Sequence, residues 1–195
     1  RIEHPTGPEY AEHLQSLAEF FELPLRENTD VLSIEKKDDL FHLETKKETI
    51  LAKNVIWAAG EYQYPSLGVF DGSETCRHTS TIASYTELEG DDFLIVGGYE
   101  SGIDAAYHLA KNDKSVRVFD LNRPWAEASS DPSIALSTYS FERMRHEKFG
   151  ANVELFEETG VQSVAHEDGL YTLTTDKGQV FQSATQPILA NGFDG

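Results

Sequence analysis

The residues best suited to chemistry lie in one short stretch, Val96, Gly97, Gly98, Tyr99, Glu100, Ser101 and Gly102. It joins an apolar, strand-like run to a run with helical periodicity. Glycines at such a junction let the backbone approach a pyrophosphate. The helix that follows offers free N–H groups and the positive end of its dipole. Asp120 ends the next strand-like run, 18 residues past Gly102. An acid there accepts hydrogen bonds from an adenosine ribose and repels a 2′-phosphate, which favours NAD(H). Arg123, three residues later, could instead clamp a 2′-phosphate and favour NADP(H). Both readings of NAD(P)H stay open, with Asp120 carrying more weight. One departure stands out. The pattern Gly-x-Gly-x-x-Gly that begins at Gly97 wants its second glycine at position 99, where this chain has Tyr99 and Gly98 sits one place early. The phosphates would then lie differently, or the tyrosine would move as a dinucleotide binds.

The elements that must hold this loop can be read from periodicity. Residues 92–97 form an apolar strand, and residues 100–111 a helix with Ile103, Ala106, Tyr107 and Ala110 on one side. Residues 115–120 form the next strand, so this is a β-α-β unit with parallel strands and a right-handed crossover. Upstream, Pro8 to Phe21 reads as a helix with Leu14, Leu17, Ala18 and Phe21 along one face. Short strands are expected at 31–35, 40–45 and 49–51, with a turn at Asp38 and Asp39. Asn54 to Gly60 reads as an apolar strand ending at a glycine. Residues 61–90 and 122–138 read as loop. Ser140 is expected to cap a helix that Gly150 ends. Strands follow at 152–157, 161–166, 169–175 and 179–183, and the run 187–192 closes the chain.

The chain also repeats itself. Val31, Ser33, Asp38, Leu40, Leu43, Thr45 and Lys47 each meet an identical residue 130 positions later, from Val161 to Lys177. After two inserted residues, the run from Ile56 to Gly60 meets the run from Ile188 to Gly192. The second copy is preceded by the glycine loop and its β-α-β unit. The equivalent prelude of the first copy would fall before residue 1. The repeat therefore predicts a second dinucleotide loop outside this segment, with the second copy inserted within the first.

Composition narrows the function. The chain has 195 residues and a formal net charge of −18, which repels phosphate backbones and anionic lipid surfaces. Nucleic acid and membrane partners are not expected; a small-molecule substrate is, and oligomeric state has no signature. There is one cysteine, Cys76, so no internal disulfide and no Cys-x-x-Cys pair exists here. That fits a reducing, cytoplasmic setting. Seven histidines are scattered without metal-ligand spacing, and no metal site is expected. His78 lies near the proposed chemistry and reads as a loop histidine. Trp57 and Trp125 read as packing residues.

The run from Asn54 through Gly60 to Pro65 resembles the Ala-Thr-Gly strand and following loop of flavin-containing monooxygenases. The run Ile95 to Ala106, with Ser101, Gly102 and Asp104, resembles their nicotinamide-binding loop. Phe70, Gly72 and His78 resemble, with two extra residues, their Phe-x-Gly-x-x-x-His stretch. The resemblance extends to the wider two-dinucleotide-domain flavoprotein superfamily and covers the middle of such an enzyme, of bacterial type. It implies an α/β fold: a Rossmann-like NAD(P)-binding domain with parallel sheet and β-meander, inserted in part of an FAD-binding domain. Residues 1–78 would be the flavin-domain segment, 79–186 the NAD(P)-binding domain and 187–195 the return strand. Gly97, Gly98, Tyr99, Glu100, Ser101, Gly102, Asp120 and Arg123 would contact the nicotinamide cofactor. Gly60 and Gly192 would mark the crossings between domains. FAD is expected in the full-length protein, where NAD(P)H reduces it and the reduced flavin reacts with oxygen. Two alternatives share these residues: a reductase of a thiol, quinone or protein acceptor, and a non-catalytic NAD(P)H-sensing module. The isolated chain is expected to be inactive.

Overall fold

A computed structural model describes residues 5–131 and 133–194. His4 among the histidines, and the ends of the expected flavin-domain segments, lie outside them. The chain divides into two units, residues 1–59 and 60–195. Boundaries after residues 78 and 186 are the expectation from the sequence; the compact units divide after Ala59.

The first unit holds helix α1 (Gly7–Phe20) and strands β1 (Val31–Lys37), β2 (Leu40–Thr45) and β3 (Thr49–Ala52). Thr6 caps α1 through a capping box: its side chain accepts from the Glu9 N–H at 3.4 Å, and the Glu9 carboxylate accepts from the Thr6 N–H at 2.7 Å. The strands pair antiparallel in the order β1-β2-β3. Little of the unit's apolar surface is covered. No residue of α1 is buried, and Phe20 is 79% and Ile56 91% exposed. The expected strand at residues 54–60 does not form. A strand needs a hydrogen-bonded neighbour, and among the described residues none pairs with this run. Trp57, expected to pack, is exposed for the same reason.

The second unit is built on a five-stranded parallel sheet. Its elements, in chain order, are β4 (Arg77–His78), β5 (Asp92–Val96), α2 (Glu100–Lys111), β6 (Ser115–Phe119), α3 (Thr138–Met144), α4 (Glu147–Asn152) and β7 (Val153–Phe156). Then come β8 (Val161–Glu167), β9 (Leu170–Thr175), β10 (Val180–Ser183) and β11 (Ile188–Leu189). The sheet order is β4-β11-β5-β6-β7, and β8, β9 and β10 form a separate antiparallel meander.

Alternation along the strands decides which layer covers which face. Phe93, Ile95, Val116 and Val118 pack against Ile103, Ala106 and Leu109 of α2 and Phe149 of α4. Leu94 and Phe119 point the other way, onto Val164 and Leu173 of the meander. Nearly all of these side chains are fully buried. Each of the Val, Leu, Ile and Phe side chains contributes about 1.5–3 kcal/mol relative to exposure, so the β5-α2-β6 unit under the glycine loop is well anchored.

Between residues 138 and 152 the structure departs from the sequence reading. One helix capped by Ser140 was expected. Ser137 is the cap instead, and its hydroxyl accepts from the Ser140 N–H at 3.2 Å. The helix breaks at Arg145. His146 then caps α4 through Nδ1, 3.2 Å from the Lys148 N–H, and Gly150 lies inside that helix.

The repeat is present in the backbone. The pairing of β1 with β2 slips between Val31 and Ser33, and that of β8 with β9 between Val161 and Ser163. Positive φ recurs at the same offset, at Asn28 (52°) and Glu158 (49°), and at Asp38 (53°) and Asp168 (51°).

Candidate dinucleotide cleft

A cavity of about 480 Å³ opens at the carboxyl ends of β5, β6 and β11. Strand order reverses there, since α2 carries the chain from β5 to β6 on one side while β11 lies on the other. This is where open α/β sheets bind ligands. The wall includes Gly97, Tyr99, Glu100, Ser101, Asp120 and Gly192 of the expected residues. Gly98, in the loop, and Gly102, in the first turn of α2, do not line the cavity. Gly60 has no atom near the place of a Cβ and is not part of the wall, and Arg123 is also outside it.

Each glycine of the loop has its own steric reason. Gly97 has φ of 103°, which L side chains rarely adopt, and a Cβ there would collide with the Ala190 carbonyl. A Cβ on Gly102 would collide with the Gly97 carbonyl, so the helix could not approach the strand. A Cβ on Gly98 would meet the indole of Trp125, which packs over the loop. Tyr99 has φ of −77° and ψ of −167°, an extended backbone open to any residue. Its hydroxyl lies 3.4 Å from the Ile134 carbonyl, on the segment beyond β6. No side chain caps α2, so the N–H groups of its first turn are left for a ligand.

Asp120 is 8% exposed. Its Oδ2 accepts from the Gly98 N–H and its Oδ1 from the Asn122 N–H, both at 2.7 Å. A carboxylate has about four acceptor positions, so capacity remains for a ribose hydroxyl. Arg123, in the left-handed region at φ of 42°, faces Glu157 at 3.6 Å and Glu158 at 3.8 Å. Among the described residues no lysine, arginine or histidine lines the cleft.

Glu100 begins α2 and ties it to α3. It accepts from the Ser137 N–H, from the Ser137 hydroxyl at 2.9 Å and from the Ser140 hydroxyl. Partial burial pushes its carboxyl upward. These hydrogen bonds and the Arg143 charge outweigh that and hold it below the ordinary glutamate value.

Two polar residues not assigned to the site from the sequence bear on it: His78, behind the wall, and Asn191, in it. His78, read as a loop histidine, is buried at 3% exposure. Its Nδ1 accepts from the Ser80 N–H at 3.1 Å, so Nε2 carries the proton and donates to the Gly192 carbonyl at 2.9 Å. It fixes the turn after β11. Asn191 lines the cleft; its Nδ2 donates to the Ser66 carbonyl at 2.9 Å, while its buried Oδ1 has no partner among the described residues. The signal for Asn191 was its place just after a strand at a switch point, which becomes visible only once β11 is seated between β4 and β5.

The features fit a nicotinamide dinucleotide: a glycine loop, an uncapped helix start, an acid at the next strand end and an orphaned acceptor. No helix of the described residues is long and apolar enough to cross a membrane, and no group of three or more His, Cys, Asp or Glu among them could hold a metal ion.

Fold and cleft together define an α/β dinucleotide-binding protein of the flavin and nicotinamide oxidoreductase class. Residues 1–195 match the family of pyridine nucleotide-disulphide oxidoreductases, and the chain belongs to it. Members of that family bind FAD and NAD(P)H. An uncharacterised CzcO-like oxidoreductase of Geobacillus kaustophilus is 33% identical over 113 residues, 56% of this chain and 32% of that protein. A ferredoxin–NADP reductase of Streptococcus agalactiae is 31% identical over 113 residues, 56% of this chain and 34% of that protein. The match thus spans about a third of these curated relatives' length. Among solved structures, the bacillithiol disulfide reductase Bdr of Staphylococcus aureus superposes with a TM-score of 0.75 at 17% identity, covering 100% of this chain and 58% of that one. The L-lysine 6-monooxygenase of Pseudomonas syringae superposes with a TM-score of 0.69 at 11% identity, covering 98% and 59%. Both likenesses confirm the expected α/β fold with parallel sheet and meander.

Proposed function

We propose that this chain is the NAD(P)H-binding portion of an FAD-dependent oxidoreductase of the flavin-containing monooxygenase-like type, with NADH as the preferred reductant. The observation that carries the reading is Asp120, buried at the end of β6 and hydrogen-bonded to the glycine loop. Its negative charge opposes a 2′-phosphate, and Arg123 is turned to Glu157 and Glu158 instead. The first turn of α2 holds the pyrophosphate, while the His78–Gly192 link keeps the opposite wall in place. When bound, the flavin supplies the redox chemistry; this chain's residues position the nicotinamide and shield it from water.

The first unit belongs to the flavin domain on this reading. Its meander repeats β8–β10, yet the apolar residues that match Val161, Val164 and Phe181, namely Val31, Ile34 and Leu51, are exposed. In the second unit that face rests on the parallel sheet. A corresponding sheet, carrying the flavin loop, covers it in the whole protein, and Gly60 and Gly192 mark the crossings between the domains.

A second reading, a reductase of a thiol, quinone or protein acceptor, is favoured by the likeness to the ferredoxin–NADP reductase. Oxygen uptake by the whole protein on adding NADH decides between the two. Uptake without an added acceptor supports the monooxygenase type; none, with rapid reduction of an added quinone or disulfide, supports the reductase. The 195-residue chain alone should purify without flavin. Yellow protein with one FAD per chain would overturn the assignment of the flavin loop to another segment.

A further inference from the structure

We propose that Asn191 is a binding residue for the nicotinamide-side ribose, its Oδ1 accepting a hydrogen bond from a ribose hydroxyl. The inference rests on the reading of the cleft as an NAD(P)H site.

The position follows from topology. Asp120 lies on β6, to one side of β5, and takes the adenosine ribose. The pyrophosphate sits at the start of α2, above β5. The rest of the dinucleotide must then extend over the other side of β5, which is β11. Asn191 is the second residue after β11, and its backbone nitrogen lies 3.4 Å from the place of a Gly97 Cβ. It therefore stands beside the first glycine of the loop, on the side away from Asp120.

The chemistry follows from the side chain's partners. Nδ2 is committed to the Ser66 carbonyl, which fixes the amide's sense and leaves Oδ1 as an acceptor. Among the described residues Oδ1 has no donor, although water cannot reach it. A buried acceptor left unpaired is costly, and most such groups in folded proteins are paired. Asn191 lines the cleft, and a donor can come from there. A ribose hydroxyl supplies that donor, and a modest rotation of the amide aligns the two. Phosphate oxygens and the adenine N1 and N3 atoms, being acceptors, do not.

The test compares ligands that do and do not reach this side. The 195-residue chain and its Asn191→Leu variant are titrated with NADH by nicotinamide fluorescence and with ADP by calorimetry. The variant should bind NADH about tenfold more weakly, the loss of one hydrogen bond with its acceptor desolvated, and ADP as tightly as the parent. An Asn191→Asp variant keeps an acceptor, and should recover part of the NADH affinity if it folds with an unchanged circular-dichroism spectrum. Equal NADH affinity in parent and Leu variant would overturn the assignment, as would parallel losses for NADH and ADP. If the parent binds neither ligand, the cleft reading itself fails, an outcome distinct from either.

Discussion

The Gly98 N–H donates to Asp120 Oδ2 at 2.7 Å, so the acid that would read the ribose also holds the glycine loop in place. One side chain thus joins the strand end that selects the cofactor to the turn that takes its phosphates. Loop order and cofactor choice are coupled through that bond.

Asp120→Ala separates these roles by ligand. It removes a charge-assisted hydrogen bond to the loop, worth about 1.5–3 kcal/mol, and the acceptor for the ribose. NADH affinity should fall by at least about tenfold. NADPH should lose less, since the repulsion of its 2′-phosphate goes too. Fluorescence titration with both cofactors reads the ratio. A variant that keeps the parent's preference for NADH would show that Asp120 does not set it.

Gly102→Ala tests the close packing of α2 on the loop. The new methyl group meets the Gly97 carbonyl, which is backbone and is itself fixed against Ala190. Either the helix shifts or the loop does. The expected cost is about 2–4 kcal/mol of stability, seen as a lowered melting temperature, with loss of NADH binding in the folded fraction. Gly150→Ala is the control, because nothing lies within 4 Å of a Cβ at that helical position. Its melting temperature should hold or rise.

The β-α-β unit was legible because its signals are local: a fully apolar strand, a glycine loop and a helix with one apolar side, all within residues 92–120. The meanders were legible because alternation and turn residues set them, and the repeat added the register. Residues 54–60 failed for a non-local reason. Their composition suits a buried strand, but a strand is completed only by its neighbours. Ser137 and Ser140 were confused because both can cap; the Glu100 carboxylate, 37 residues before Ser137, shapes that choice. Asn191 in the wall and His78 behind it are placed by β11 and β4, two-residue strands that no periodicity can show.

Cys76 should be a poor nucleophile. Burial pushes its thiol up to about 11, against an ordinary 9.0. At pH 8 its thiolate fraction is then about 100-fold below that of an unfolded chain. Reaction with a chromogenic disulfide should be slow in the native protein and speed up by about that factor in urea. Equal rates in both would mean that the thiol is as open and ionised in the native protein as in the unfolded chain.

Glu100 gives the chain a stability term with a definite pH dependence. Burial pushes its carboxyl up, but the Ser137 and Ser140 donors and the Arg143 charge outweigh that and hold it below the ordinary glutamate value of 4.5 in the folded state. A group with a depressed folded pKa stabilises fully above its unfolded value and loses that contribution as pH falls through the folded one. The parent should therefore lose stability below about pH 4.5 more steeply than a Glu100→Gln variant. At pH 7 the variant should be less stable by about 1 kcal/mol, a figure kept small because the residue is exposed and screened by solvent. Because the same bonds tie α3 to the start of α2, the variant should also free the segment that carries Tyr99's partner Ile134. Denaturant melts at pH 7 and pH 3.5 measure the difference. If parent and variant lose stability in parallel between those values, Glu100 contributes nothing that depends on its charge, and the link between α2 and α3 is held by packing alone.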